Sequence, residues 1–303
     1  MFRGAYTALV TPFRDGNVDD AALVRLVEAQ IAGGIHGLVP CGTTGESPCL
    51  SFTEHIHVIE VVMRAVAGRV PVLAGAGSNS TQEAIELSRA CKELGVAGTL
   101  QVTPYYNKPT QEGLFAHFSQ IADGVGLPIV LYNVPGRTGV DLLPETVGKL
   151  SQHPLVVGVK EASADMIRAA RVRELCGPEF DLLSGDDFTV LPLMVLGGDG
   201  VISVGTNVVP ELFVQLVEAA KDNRWDRARE LHYQLLPLSR ALFSTTSPIP
   251  VKHALAMLGR MDVEMRAPLV PLDADRVELA TLRRELENIG LGDELREAKE
   301  TAR

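Results

Sequence analysis

The residue with the most chemical content in this sequence is Lys160, which ends the apolar run Leu155-Val156-Val157-Gly158-Val159. An ammonium at the end of a buried strand is costly to desolvate, and its pKa is expected to fall toward neutrality. A neutral amine in an apolar pocket is a nucleophile for carbonyl carbons. A strand-end lysine also has a simpler option, to lay its stem on the surface and keep its head in water. The other apolar runs decide between the two, because several end in groups that complement an amine nucleophile.

Gly42-Thr43-Thr44-Gly45-Glu46 follows one run. Thr43 and Thr44 offer hydroxyls, and the flanking glycines leave backbone N–H groups approachable, which suits a small carboxylate. Their other reading is a turn that caps the next helix. Tyr132 ends the run from Pro128 and is followed by Asn133-Val134-Pro135-Gly136-Arg137. Its phenol could move protons between a lysine-bound adduct and a hydroxyl partner, or it could be a rim aromatic. The planar fork of Arg137 suits a carboxylate, or a surface ion pair. Three more strand-end segments are Thr103-Pro104-Tyr105-Tyr106-Asn107, Ser184-Gly185-Asp186-Asp187 and Ile202-Ser203-Val204-Gly205-Thr206.

The elements that must position these groups are legible in the pattern. Apolar runs start near Ala5, Gly37, Val70, Gly98, Pro128, Leu155, Phe180 and Gly200. They are near-continuous in Val, Ile and Leu, as strands buried on both faces are. Amphipathic helical stretches lie between them. Leu23, Leu26, Val27 and Ile31 recur at helical steps and Gly33-Gly34 stops that helix. Ser51-x-x-Glu54 and Ser80-x-x-Glu83 read as capping boxes, the second followed by Ala84, Leu87, Cys91 and Leu94 on one face. Eight strand–helix units predict a (β/α)8 TIM barrel over residues 1–224, with active groups at the carboxyl ends of its strands. A doubly wound sheet is the rival, but the first turn, Thr11-Pro12-Phe13-Arg14-Asp15-Gly16, is no glycine-rich nucleotide turn. From residue 225 to 303 only helical patterns follow: Asp226–Phe243, Val251–Met261 and Ala274–Ile289, with a Pro-rich break at Ser247-Pro248-Ile249-Pro250. These read as a C-terminal extension packed on the barrel, its last dozen residues a solvated or frayed helix.

The bulk numbers narrow the partners. A net charge of −10 over 303 residues argues against nucleic acid or an anionic membrane, and no run of about 20 apolar residues is present. An anionic substrate would need a local cation, which gives Arg137 its interest. The four cysteines form no CxxC pair and lack zinc spacing. With no leader followed by a long apolar stretch, a reduced cytoplasmic protein is expected. Gly75-Ala76-Gly77 lacks the rest of a dinucleotide fingerprint. Asp186-Asp187 has no histidine pair beside it and reads as helix capping rather than a metal site. His55 and His57, two apart on a helix, cannot face one site. There is no HExxH and no Gly-x-Ser-x-Gly elbow.

At these positions the chain resembles the Schiff-base, class I aldolases of the dihydrodipicolinate synthase and N-acetylneuraminate lyase superfamily, over nearly its whole length. The shared motifs are Gly42–Glu46, Thr103–Asn107, Tyr132–Gly139, Gly158–Ser163 and Gly200–Asn207. The double threonine and Arg137 resemble the dihydrodipicolinate synthase branch, whereas neuraminate lyases lack that arginine. One departure is Ser247, where the family often has asparagine.

The resemblance implies a lyase of lysine (diaminopimelate) biosynthesis, with no cofactor and no metal, that joins pyruvate to L-aspartate 4-semialdehyde. Lys160 would condense with pyruvate, Thr43 and Thr44 would hold its carboxylate, and Tyr132, Thr43 and Tyr106 would form a proton relay. Tyr106 would act across a tight dimer interface, in a homotetramer built from two such dimers. Arg137 would bind the aldehyde's carboxylate, and the backbone near Gly185 and Ile202 would complete the pocket. It also implies an L-lysine effector site near Ser47, Pro48, His55, Asn79, Glu83 and Tyr105. Phe52, where sensitive relatives often have histidine, favours weak inhibition or none. The alternatives are another pyruvate-dependent aldolase, such as a keto-sugar acid aldolase or N-acetylneuraminate lyase, and a non-catalytic barrel used as a binding module.

Overall fold

The computed structural model describes residues 1–301. The eight apolar runs become eight parallel strands: β1 Gly4–Ala8, β2 Gly37–Val39, β3 Leu73–Gly75, β4 Gly98–Val102, β5 Ile129–Asn133, β6 Val156–Glu161, β7 Asp181–Ser184 and β8 Gly200–Ser203. Their order is β2-β1-β8-β7-β6-β5-β4-β3. A parallel bridge between Leu38 and Val72 joins the two ends, supported by hydrogen bonds from Leu38 N to Pro71 O (3.1 Å) and from Gly75 N to Pro40 O (2.9 Å). The sheet is therefore a barrel.

Strand alternation divides the core in two. Leu131, Leu182 and Val201 pack outward with the helices, while Tyr132, Leu183 and Ile202 pack with Phe2, Tyr6 and Leu100 inside the barrel. Burial on both faces explains the unbroken apolar runs, and each fully buried Leu, Val or Ile contributes about 1.5–3 kcal/mol against exposure. Tyr6 fills the axis only because its neighbour on β2 is Gly37, where a Cβ would stand 2.0 Å from the Tyr6 ring.

The helix after β1 runs Asp20–Ala32 and ends at Gly33, as its pattern predicts. The helix Phe52–Val66 carries a complete capping box: Glu54 N donates to Ser51 Oγ (3.2 Å) and Ser51 N to Glu54 Oε2 (3.0 Å). The helix Thr81–Glu93 is capped by half of one. Ser80 Oγ accepts from Glu83 N at 3.4 Å, but the Glu83 carboxylate turns away from Ser80 N to take the hydroxyl of Ser78.

The C-terminal extension consists of helices Trp225–Leu242, Ile249–Met257, Val277–Leu286 and Gly292–Thr301. The third is shorter than its pattern suggests, because the chain widens into a π turn at Glu287–Leu291 with Gly290 at φ 101°. The last helix is more than a frayed tail: Leu295 is 2% exposed, and Arg260 Nε holds Glu294 at 2.6 Å. Residues 302 and 303 of the expected extension lie outside the described residues. No helix among the described residues is long and apolar enough to cross a membrane.

Candidate active site

β5 and β6 pair in a register that sets Tyr132 opposite Lys160 and Asn133 opposite Glu161. The pleat then separates the two pairs. Tyr132 and Lys160 face the barrel interior, 6% exposed each, and Lys160 Nζ stands 4.2 Å from the Tyr132 ring centroid. Among the described residues Lys160 makes no ion pair and no hydrogen bond, so its amine is not committed to a structural carboxylate. The surface-snorkelling alternative does not hold. Room for the lysine stem comes from the residue just past β7: a Cβ on Gly185 would lie 3.0 Å from Lys160 Cε and 2.6 Å from Ala162 Cβ. Ile202, 1% exposed, shares the inner apolar cluster with Tyr132.

Glu161 and Asn133 brace these strand ends from behind. Glu161 accepts from Ser163 N (2.8 Å) and Arg168 Nε (3.0 Å), and Asn133 Nδ2 reaches it at 3.3 Å. Arg168 also donates to Asp141 (2.9 Å) and to the Leu142 carbonyl. Asn133 Oδ1 accepts from Leu142 N at 3.0 Å. Sequence reasoning passed over this group, although strand alternation next to Tyr132 and Lys160 was the available signal.

The Gly42–Glu46 segment is a compact turn. Gly45 N and Ser47 N donate to Gly42 O at 3.1 and 3.3 Å, and Glu46 N donates to Thr43 O at 3.1 Å. Thr44 is buried and Thr43 half-buried. Glu46 takes φ 56° and is held by the C-terminal extension. Its Oε1 accepts from Lys252 Nζ, both side chains being fully buried. Its Oε2 accepts from Arg266 N at 2.8 Å. Burial pushes the Lys252 ammonium below its usual range, against the opposing pull of Glu46. The Phe13 ring lies under both cations, 4.3 Å from Lys252 Nζ and 4.6 Å from the Arg266 guanidinium carbon.

Arg137 lies on a single helical turn, Pro135–Thr138, just past β5. It is exposed and its Nη2 donates to Ser247 O at 3.3 Å. No carboxylate pairs with it among the described residues, so the surface ion-pair reading also fails. Arg137 and Thr43 line one cavity of about 420 Å³. Lys160 and Tyr132 do not line it; they are buried in the barrel interior.

The same cavity is lined by Ser47, Pro48, Phe52, His55, Glu83 and Tyr105. Asn79 is beside it, donating to Tyr105 O at 3.3 Å. His55 Nε2 is 2.7 Å from Gly75 O, and burial lowers its pKa. His57 instead meets Asp20 at 2.8 Å, so the two histidines diverge. Tyr106 is not brought to Lys160 within one chain: it is 89% exposed at φ 73°, and its N–H donates to Thr138 O at 3.4 Å.

The expected helix capping by Asp186-Asp187 is not realised: the next helix, Val190–Val195, has Thr189 at its N-cap with no side-chain cap bond, and Asp186 Oδ1 accepts from Phe188 N at 2.9 Å within the preceding turn. Asp187 ties two strand-end loops instead, accepting from Gly205 N at 2.8 Å, and burial raises its pKa to about 6. Among the described residues no three His, Cys, Asp or Glu side chains converge as metal ligands do.

Comparison with known proteins agrees with this geometry. Residues 1–287 match the Dihydrodipicolinate synthetase family. The 4-hydroxy-tetrahydrodipicolinate synthase of Nitratidesulfovibrio vulgaris (strain DP4) is 56% identical over 273 residues, covering 90% of this chain and 94% of its own. Among solved structures, the chloride-inhibited dihydrodipicolinate synthase from Acinetobacter baumannii complexed with pyruvate is 43% identical. It covers 96% of this chain and 100% of its own, with a TM-score of 0.94. DHDPS from Cyanidioschyzon merolae with lysine bound is 42% identical, covering 96% and 99%, with a TM-score of 0.93. With its barrel, its strand-end lysine and tyrosine and these matches, the chain belongs to the dihydrodipicolinate synthetase family.

Proposed function

We propose that the protein condenses pyruvate with L-aspartate 4-semialdehyde to 4-hydroxy-tetrahydrodipicolinate, a lyase-type carbon–carbon bond formation in diaminopimelate and lysine biosynthesis. One observation carries the chemistry: Lys160, buried inside the barrel, has its amine over the Tyr132 ring and no ionic partner among the described residues. The N. vulgaris relative bears the name of this activity and the A. baumannii relative holds pyruvate.

The steps follow from those groups. Lys160 Nζ adds to C2 of pyruvate and water leaves, giving an iminium that acts as an electron sink. Loss of a C3 proton gives an enamine, with Tyr132 in reach of the adduct to carry protons. The enamine carbon attacks the aldehyde carbon, which becomes an alcohol. The amine of the aldehyde substrate then attacks the imine carbon, closing the ring and releasing Lys160. Thr43 and Thr44 hold the pyruvate carboxylate on the turn fixed by Glu46, and Arg137 at the mouth holds the carboxylate of the second substrate.

Tyr106 completes the relay with Tyr132 and Thr43 from a second copy of the chain, in a tetramer of two dimers. Its 89% exposure on a strained backbone supports a partner beyond this chain. Cys41, Cys49, Cys91 and Cys176 are all free thiols, in keeping with work in the cytoplasm. L-Lysine, acting near Glu83 and Tyr105, inhibits weakly or not at all, in keeping with Phe52 in the cavity lining.

Steady-state assays of pyruvate with aspartate semialdehyde, a keto-sugar acid aldehyde and N-acetylmannosamine test the assignment. The first aldehyde should give the highest kcat/KM. A preference for either sugar would reassign the second substrate.

A further inference from the structure

Both faces of the substrate cleft are tethered to one segment of the helical extension. The Thr43–Thr44 turn is held through Glu46 by Lys252 and by Arg266 N. Arg137 is held by the carbonyl of Ser247, just before the helix that carries Lys252. Lys252 and Glu46 are 206 positions apart, so no local propensity brings them together.

A pair of charges with no exposed surface is a poor source of stability, because desolvation offsets most of the attraction; an apolar pair of equal volume would serve as well or better. What the ion pair does provide is direction. Both oxygens of Glu46 are committed, one to the Lys252 ammonium and one to a backbone N–H. They hold Glu46 in the left-handed region, at φ 56°, which a residue with a Cβ rarely adopts. From there Glu46 N–H bonds the Thr43 carbonyl at 3.1 Å. The chain of contacts runs from Lys252 to Glu46 to Thr43 without a gap.

We infer that Lys252, acting through Glu46, is a positioning residue for the Thr43–Thr44 turn, so that the helical extension sets how well the keto-acid carboxylate is held. The inference rests on the pyruvate reaction proposed above. Lys252 touches no substrate. It orients the group that does, and a small misplacement of such a group lowers reactivity steeply.

The test is Lys252→Met, with kinetics normalised to the sites that pyruvate and borohydride can label. In a mechanism that releases water before the aldehyde is attacked, the two half-reactions report separately. Lys252→Met should lower kcat/KM for pyruvate by about tenfold or more, and by clearly more than it lowers kcat/KM for the aldehyde, which also draws on Thr43 through the relay. If Lys252→Met does not fold, Glu46→Gln/Lys252→Met removes the lone buried charge and should show the same selective loss. A variant with lowered thermal stability and fewer labelled sites, but native kcat/KM for pyruvate per site, would reduce the pair to a fold contact and overturn the inference. Failure of the wild-type protein to be labelled at all would instead overturn the proposed reaction.

Discussion

Lys160 and Tyr132 are register partners on neighbouring strands, with the lysine nitrogen 4.2 Å from the tyrosine ring centroid. In the proposed reaction this contact joins the nucleophile to the group that handles its protons. Its rigidity comes from the opposite face, where Asn133, Glu161 and Arg168 knit the same two strand ends together. A site built on strands and braced by a buried network needs little rearrangement to react.

Arg137 should divide the two substrates. Its side chain is exposed, with one long contact to a carbonyl, so Arg137→Ala should leave the fold and pyruvate labelling intact. Loss of a charge-assisted contact to the aldehyde's carboxylate costs about 1.5–3 kcal/mol, or ~10- to 150-fold in kcat/KM for that substrate. Initial-rate kinetics with each substrate varied in turn would check this. An equal loss for both would make Arg137 a structural residue.

Tyr106 should work in trans. Subunits carrying Tyr106→Phe and subunits carrying Lys160→Ala, mixed and allowed to exchange, should form dimers with one intact site and exceed either parent in activity. Mass spectrometry would verify the exchange. Verified exchange with no recovery would contradict a relay across subunits.

His117 gives the protein an acid-side weakness. It is 5% exposed, its Nδ1 is 2.8 Å from Thr81 Oγ1, and its Nε2 is buried without a hydrogen-bond partner among the described residues. Burial lowers its pKa from 6.5 to about 4. Between those values the unfolded chain binds the proton and the folded chain does not, so stability rises with pH there and is lost as pH falls. By pH 4.5 the loss from this group is about 2–3 kcal/mol relative to pH 7. Urea unfolding at both pH values should show His117→Leu less pH-sensitive than wild type by that amount. Equal sensitivity would mean His117 titrates normally.

Much of this architecture is written locally. The runs at Gly37, Gly98 and Gly200 begin where β2, β4 and β8 begin, because a strand buried on both faces leaves an unbroken apolar signature. The third run starts at Val70 but its strand starts at Leu73: Pro71 has no N–H to give to a ladder, and Val72 forms an isolated bridge to Leu38 rather than a continuous ladder. Ser51-x-x-Glu54 closed as a capping box, whereas Ser80-x-x-Glu83 did not, since Ser78 competes for the same carboxylate and the motif does not register that rival. Lys160 and Tyr132 were legible as residues near the ends of runs, and Thr43 and Arg137 as residues of the turns that follow them. Lys252 was not, because its meaning depends on Glu46, far away in sequence, and a lysine in an apolar helix looks like any other until its partner is placed.

The most direct measurement of the central claim is borohydride reduction in the presence of pyruvate, followed by peptide mass spectrometry. One reduced pyruvyl group per chain, on Lys160, is the predicted result, with Lys160→Ala folded but unlabelled and inactive. Label on another lysine, or no label on an active enzyme, would contradict the Schiff-base account.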